Sequence, residues 1–312
     1  MDADIVRALA EYAMRGPTQA ALVAGGFAAL SLALPPLSYL SSATVALVTL
    51  RKGARDGGFI LLAAILSVGM LVWASTGKLW FAATLALLLW LPVWLLSLVL
   101  RYTVSLATLF QAAALVAALL VVGMHLTMGN PTAAWQEVLM ANFGTMMQQA
   151  GVPDTEALLG TLAGMMTGVV AAALMVSYLL SVLLARWWQA MLYNPGGFQK
   201  EFHQLRLGRG MAIAALGVFA ASWLLSGGAG LLARDLGTVA LVVYLFQGLA
   251  IVHGVVKLLH AHIAWLAGLY FVMIVALPQL AMVLAVLGIG DTWTDIRARL
   301  EQRKSPDTDL ND

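Results

Sequence analysis

The 312-residue chain has no cysteine. Disulfides, thiol nucleophiles and cysteine-ligated metals are therefore excluded. Charge is scarce as well. Only 10% of residues are Asp, Glu, Lys or Arg, against roughly 25% in soluble domains. No phosphate-binding glycine loop, zinc-protease helix motif or serine-hydrolase elbow occurs. Paired carboxylates, the mark of many ion-coupled transporters, are missing from the apolar runs. These absences argue against an enzyme and against self-powered transport, and no metal or cofactor is expected. Strand-like alternation is also lacking, which argues against a β-barrel. A few scattered cations give nucleic-acid binding no support.

Apolar sequence is what the chain has in abundance. Hydrophobic residues make up 62% of it, in repeated runs long enough to cross a bilayer. The expected fold is all-α, a polytopic transmembrane helical bundle of about eight to ten membrane segments. The runs are 18–34, 37–50, 57–75, 79–100, 103–122, 156–184, 211–225, 237–256 and 263–289. Pro35-Pro36 should end the first, Pro92 should kink the fourth, and Pro278 breaks the last. The run beginning near Pro17 leads straight into further membrane helices, so it is read as a retained first span.

Charge orients the chain. Residues 1–16 form a cytoplasmic head, either an interfacial helix or a frayed end, and 17–290 form the membrane domain. The inner side takes the head, 51–55, Arg101, a loop at 186–210, Lys257 and a tail at 291–312. It then holds fifteen of the seventeen Lys and Arg residues, as the positive-inside rule requires. An outer loop is expected at 125–154, with a surface helix over 133–149, and a second outer loop at Arg234-Asp235. Nine full crossings from an inner N-terminus would leave the basic tail outside. Either 263–289 enters and returns around Pro278, or one short early run does not cross. Both termini are thus expected in the cytoplasm of a bacterial inner-membrane protein.

The most distinctive stretch is RWWQAMLYNPGGFQKEFHQLRLGRG at 186–210. Arg186, Arg206 and Arg209 suit phosphates, and Trp187, Trp188 and Tyr193 suit the membrane interface. Asn194 opens a turn, and Phe198 begins an apolar row at helical spacing. The stretch reads either as a docking site for anionic lipid or a cytoplasmic protein, or as an ordinary aromatic belt with positive-inside charge. Asp291 and Asp295, four apart and followed by Arg297, are placed to bond that loop. A helix start with Asp291 as N-cap explains Asp291 equally well. Small residues four apart mark close-packing faces at Ala21, Gly25 and Ala29, and again at Gly160, Gly164 and Gly168. His253, Lys257, His260 and His262 crowd one helix end and read as snorkelling side chains.

Four patterns together carry a resemblance: the first span running into Pro35-Pro36, LRKGARDGG at 50–58, the 187–209 loop, and LGIGDTWTDIRARL at 287–300. Over nearly its whole length the chain resembles the YybS-like family of predicted bacterial inner-membrane proteins. That family is distantly similar to the substrate-binding components of energy-coupling-factor vitamin transporters. The similarity implies a small helical bundle that binds a small molecule and docks on an energising partner through a small-residue face, here Ala21, Gly25 and Ala29. The chain departs from the pattern in its length, its extra segments after about 184 and its large cytoplasmic loop. No vitamin-binding residue can be matched.

Overall fold

The computed structural model describes residues 3–304, all-α among the described residues. The head's first two residues and the tail's last eight lie outside them. The early helices are α1 (Ala3–Met14), α2 (Pro17–Leu30), α3 (Leu37–Lys52), α4 (Ala54–Thr76), α5 (Leu79–Thr103) and α6 (Leu106–Met128). Next come α7 (Pro131–Leu139), a π turn (Met140–Gly144), α8 (Thr145–Gln149), α9 (Thr155–Tyr193) and α10 (Gly197–His203). The chain continues with α11 (Arg209–Leu224), α12 (Gly227–Leu258), α13 (Ala264–Val275), α14 (Leu277–Thr294) and α15 (Ile296–Lys304).

Among the described residues, six helices have the length and apolarity to cross a membrane: most of α5 together with α4, α6, α9, α12 and α14. The shorter apolar helices are α2, α11 and α13. At 1.5 Å per residue α13 reaches only ~18 Å, well short of the ~30 Å hydrocarbon core.

Contacts divide the chain into two compact units. The first comprises the chain up to Ala113 together with Val176–Phe202. Its innermost helix is α3, in which every residue from Ser41 to Leu50 is buried. The hydroxyls of Ser41, Thr44 and Thr49 help make this possible, because each of the three donates to a carbonyl. Thr44 and Thr49 donate to the carbonyls of Leu40 and Val45. Ser41 donates to the Ala24 carbonyl at 2.7 Å and accepts from Trp90 Nε1 at 2.9 Å, tying α3 to α2 and α5. A core of Val45, Val48, Ile60, Ala64, Val68 and Trp90 surrounds this chain of bonds.

The α3–α4 hairpin explains the LRKGARDGG motif. Gly53 turns the chain at φ +109°, a value side chains rarely tolerate. A Cβ on Gly57 would collide with Thr49, so only glycine lets the two helices approach there. Arg101 then closes the end of α3 by donating to the Leu50 carbonyl at 2.6 Å.

The second unit comprises Ala114–Met175 and the chain from His203. Helices α12 and α14 make its tightest contact. A Cβ on Gly248 would strike the Leu284 carbonyl, and one on Gly288 would lie 2.6 Å from the Tyr244 carbonyl. Further along, Gly254 meets Arg297. From Gln247–Gly288 to Gly254–Arg297 the contacts advance in the same direction along α12 and along α14 with the start of α15, so α12 and α14 run parallel. The intervening α13 must therefore turn back. The break falls at Ala276 (φ −135°, ψ 48°), just before Pro278 in the first turn of α14. Residues 264–294 thus form a helical hairpin whose two arms run in opposite directions.

Several sequence boundaries are corrected. The loop expected at 186–210 begins eight residues later, because α9 continues to Tyr193 and stops only at Asn194-Pro195-Gly196. Within 125–154 the correction is at the start, where α6 continues to Met128, while the expected helix over 133–149 is present, beginning at Pro131 under an Asn130 N-cap. Arg234 and Asp235 form no loop and lie inside α12. The first span ends at Leu30, four residues early. Pro92 lies within α5 without ending it.

Candidate functional site

The sequence treats charge in an apolar run as a sign of a loop. The second unit contains the exception. Asp235, in α12, is buried. Its Oδ2 lies 2.7 Å from Nε2 of His125 in α6, and its Oδ1 accepts from the Gly168 amide of α9 at 3.0 Å. Both carboxylate oxygens are therefore partnered, which a buried charge requires. Gly168 is indispensable to this contact, since a Cβ there would sit 2.9 Å from the Asp235 Cα. One residue earlier, the buried Thr167 hydroxyl accepts from Trp135 Nε1 of α7 at 3.0 Å. Four helices thus bring an imidazole, a carboxylate, a hydroxyl and an indole to one polar cluster inside an apolar unit. A His–Asp pair can hold or pass a proton, or receive a cationic or hydrogen-bonding ligand group.

Sequence reasoning missed this cluster. Its signal is nevertheless present: His125 and Asp235 are each flanked by apolar helix-forming sequence. Their 110-residue separation conceals the pairing.

The candidate residues of 186–209 do not act together. In the first unit, Arg186 makes a two-pronged pair with Glu201, through Nε at 2.9 Å and Nη2 at 2.5 Å, and also donates to Gln189. Its charge is neutralised internally rather than offered to a phosphate. Arg186, Tyr193, Asn194 and Phe198 line one small cleft of ≈ 120 Å³ with Gln189, Ala190 and Glu201. Trp187 is exposed, whereas Trp188 is fully buried. Trp188 therefore belongs to the core, not to a membrane belt or a docking face. Amphipathic continuation of α9 is the reason: adjacent tryptophans on a helix point to different sides.

Arg206 belongs to the second unit, where it pairs with Asp295 at 2.5 Å. Arg297 pairs with Asp291 at 3.0 Å and donates to the carbonyls of His203 and Leu205. Asp291, Asp295 and Arg297 thereby clasp 203–207 to the end of α14. The helix cap is Asp295, whose Oδ1 accepts from the Ala298 amide. Asp291 is not the cap. It sits in the last turn of α14 and its Oδ1 accepts from the Ile296 amide. Gln247 completes the clasp by accepting from the Leu207 amide at 2.9 Å and donating to the Gly288 carbonyl at 2.6 Å. His203, beside this clasp, has its pKa lowered by burial and then by His253, Lys257 and Arg297. Arg209 is exposed and makes no ion pair among the described residues.

The small-residue rows divide similarly. Gly25 packs on Ser67 of α4 and Ala21 packs against the core of the first unit, so this part of the row is used within the unit, while Ala29 is half-buried. Gly160 meets Gln136 of α7, and Gly168 meets Asp235, while Gly164 has nothing nearby.

No family model, curated protein or solved structure matches the chain.

Proposed function

We propose that this multi-pass membrane protein is the binding component of a transport system in a bacterial inner membrane, energised by a separate partner. The observation that carries the reading is the buried His125–Asp235 pair with Thr167 and Gly168. Ionisable groups inside membrane helices are costly, and they commonly mark a substrate or ion path. The resemblance to YybS-like proteins, and through them to vitamin-transporter components, points the same way. So does the lack of any energising motif in the chain. The orientation supported by the Lys and Arg distribution has both termini cytoplasmic.

The test is purification of the tagged protein in mild detergent, with mass spectrometry of copurifying proteins and small molecules. A stoichiometric small molecule retained by the wild type and lost in Asp235→Asn and His125→Ala would support the reading. An empty wild-type protein that recovers no energising partner would overturn it. A second reading, recruitment of a cytoplasmic protein, is favoured by the cleft beside exposed Tyr193 and Asn194. It would show as cytoplasmic proteins that disappear with Phe198→Ala.

A further inference from the structure

The hairpin between α3 and α4 carries three cations in five residues: Arg51, Lys52 and Arg55. All three are exposed and make no ion pair among the described residues, and neither does the neighbouring Asp56. Two other arginines of this unit are already engaged. Arg101 is held by the Leu50 carbonyl and Arg186 by Glu201. Arg51 is not loose, because its guanidinium lies 4.4 Å from the centre of the Tyr193 ring. Such stacking holds a guanidinium in place while leaving its N–H edge open.

Below these cations α4 presents a single apolar stripe. Arg55 is followed at helical spacing by Phe59, Leu62, Leu66, Met70 and Trp73, each more than half exposed. The steps of three and four residues put them on one face. Arg55 to Trp73 spans ~27 Å of helix, close to the ~30 Å hydrocarbon thickness of a bilayer. A cationic head at one end of a stripe of that length is complementary to a phosphate headgroup with acyl chains beneath it. A free phosphate would use the cations but not the stripe.

We propose that the α3–α4 hairpin is a binding site for an anionic phospholipid. Arg51, Lys52 and Arg55 receive the phosphate, and the exposed face of α4 receives the acyl chains. This inference stands apart from the transport reading and uses none of its residues.

The experiment is lipid analysis of detergent-purified full-length protein, coupled to melting curves in nanodiscs. Phosphatidylglycerol discs are compared with phosphatidylcholine discs, with and without millimolar inorganic phosphate. Wild type is expected to retain phosphatidylglycerol through purification and to melt higher in phosphatidylglycerol discs. The triple variant Arg51→Gln, Lys52→Gln, Arg55→Gln should retain at least fivefold less and lose the melting difference. Arg55→Gln alone should lose part of it, a safeguard if the triple variant misfolds. Lys78→Gln, at the far end of α4, should behave as wild type. Equal retention by well-folded triple or single variants would overturn the site. Stabilisation by inorganic phosphate in phosphatidylcholine discs, matching that of the lipid, would overturn the lipid assignment in favour of a free anion.

Discussion

Gln247 shows how much a single buried polar side chain can organise. It is fully buried in α12, yet it joins the 203–207 segment to α14 through one accepted and one donated bond. Replacement by leucine keeps the bulk and removes both bonds, at about 0.5–1.5 kcal/mol for each. Gln247→Leu should therefore lower the melting temperature in detergent, as read by scanning fluorimetry. A melting curve unchanged from wild type would mean the two bonds contribute nothing. Asp235 works on the same principle, since a carboxylate survives in an apolar unit only because His125 and the Gly168 amide meet it. The sequence displayed each of these residues but not its partner. Arg206 and Asp295 were legible as a loop–tail pairing because both flank apolar runs at the same expected membrane face. Trp188 was misread because interfacial and core tryptophans look alike in sequence.

The elements depend on where backbones can touch. The α12–α14 contact rests on one glycine from each helix, Gly248 and Gly288, each against the other helix's backbone. Backbone cannot rotate away as a side chain can, so an added methyl must separate the helices. Gly288→Ala should thus destabilise the protein by about 1–3 kcal/mol, the usual cost of overpacking. Gly290→Ala, on the same helix with open space around it, should be near neutral. Equal melting temperatures for the two variants would contradict the close approach. The sequence hid this contact because the crossing uses isolated glycines. The visible rows at 21–29 and 160–168 are real packing sites only in part, with Gly164 facing nothing. Proline and glycine punctuation, in contrast, was informative. Gly53, Asn130-Pro131 and Pro278 all sit at the ends of helices.

For the molecule as a whole, the parallel course of α12 and α14 has a topological consequence. It puts the end of α14 at the same end of the unit as the end of α12, where 203–207 is clasped. A reporter fused after residue 312 should therefore report the same side as one placed in the 204–208 segment. The orientation proposed from the Lys and Arg distribution makes that side the cytoplasm. Opposite sides for the two fusions would contradict the parallel course of α12 and α14.

Composition and run length alone determined the class: a cysteine-free, charge-poor chain with this many long apolar runs forms membrane helices, because only helices satisfy their own backbone in lipid. Local chemistry determined most helix ends for the same reason, since a proline or a left-handed glycine acts within a turn of itself. The tertiary structure decided the pairings: Asp235 with His125, Gly248 with Gly288, Gln247 with Leu207, and which cations remain open at Arg51, Lys52 and Arg55. Periodicity reports which face of a helix is apolar, but not which distant segment covers it. Burial then assigned each polar side chain its role, as a partnered group in the interior or an open one at the surface.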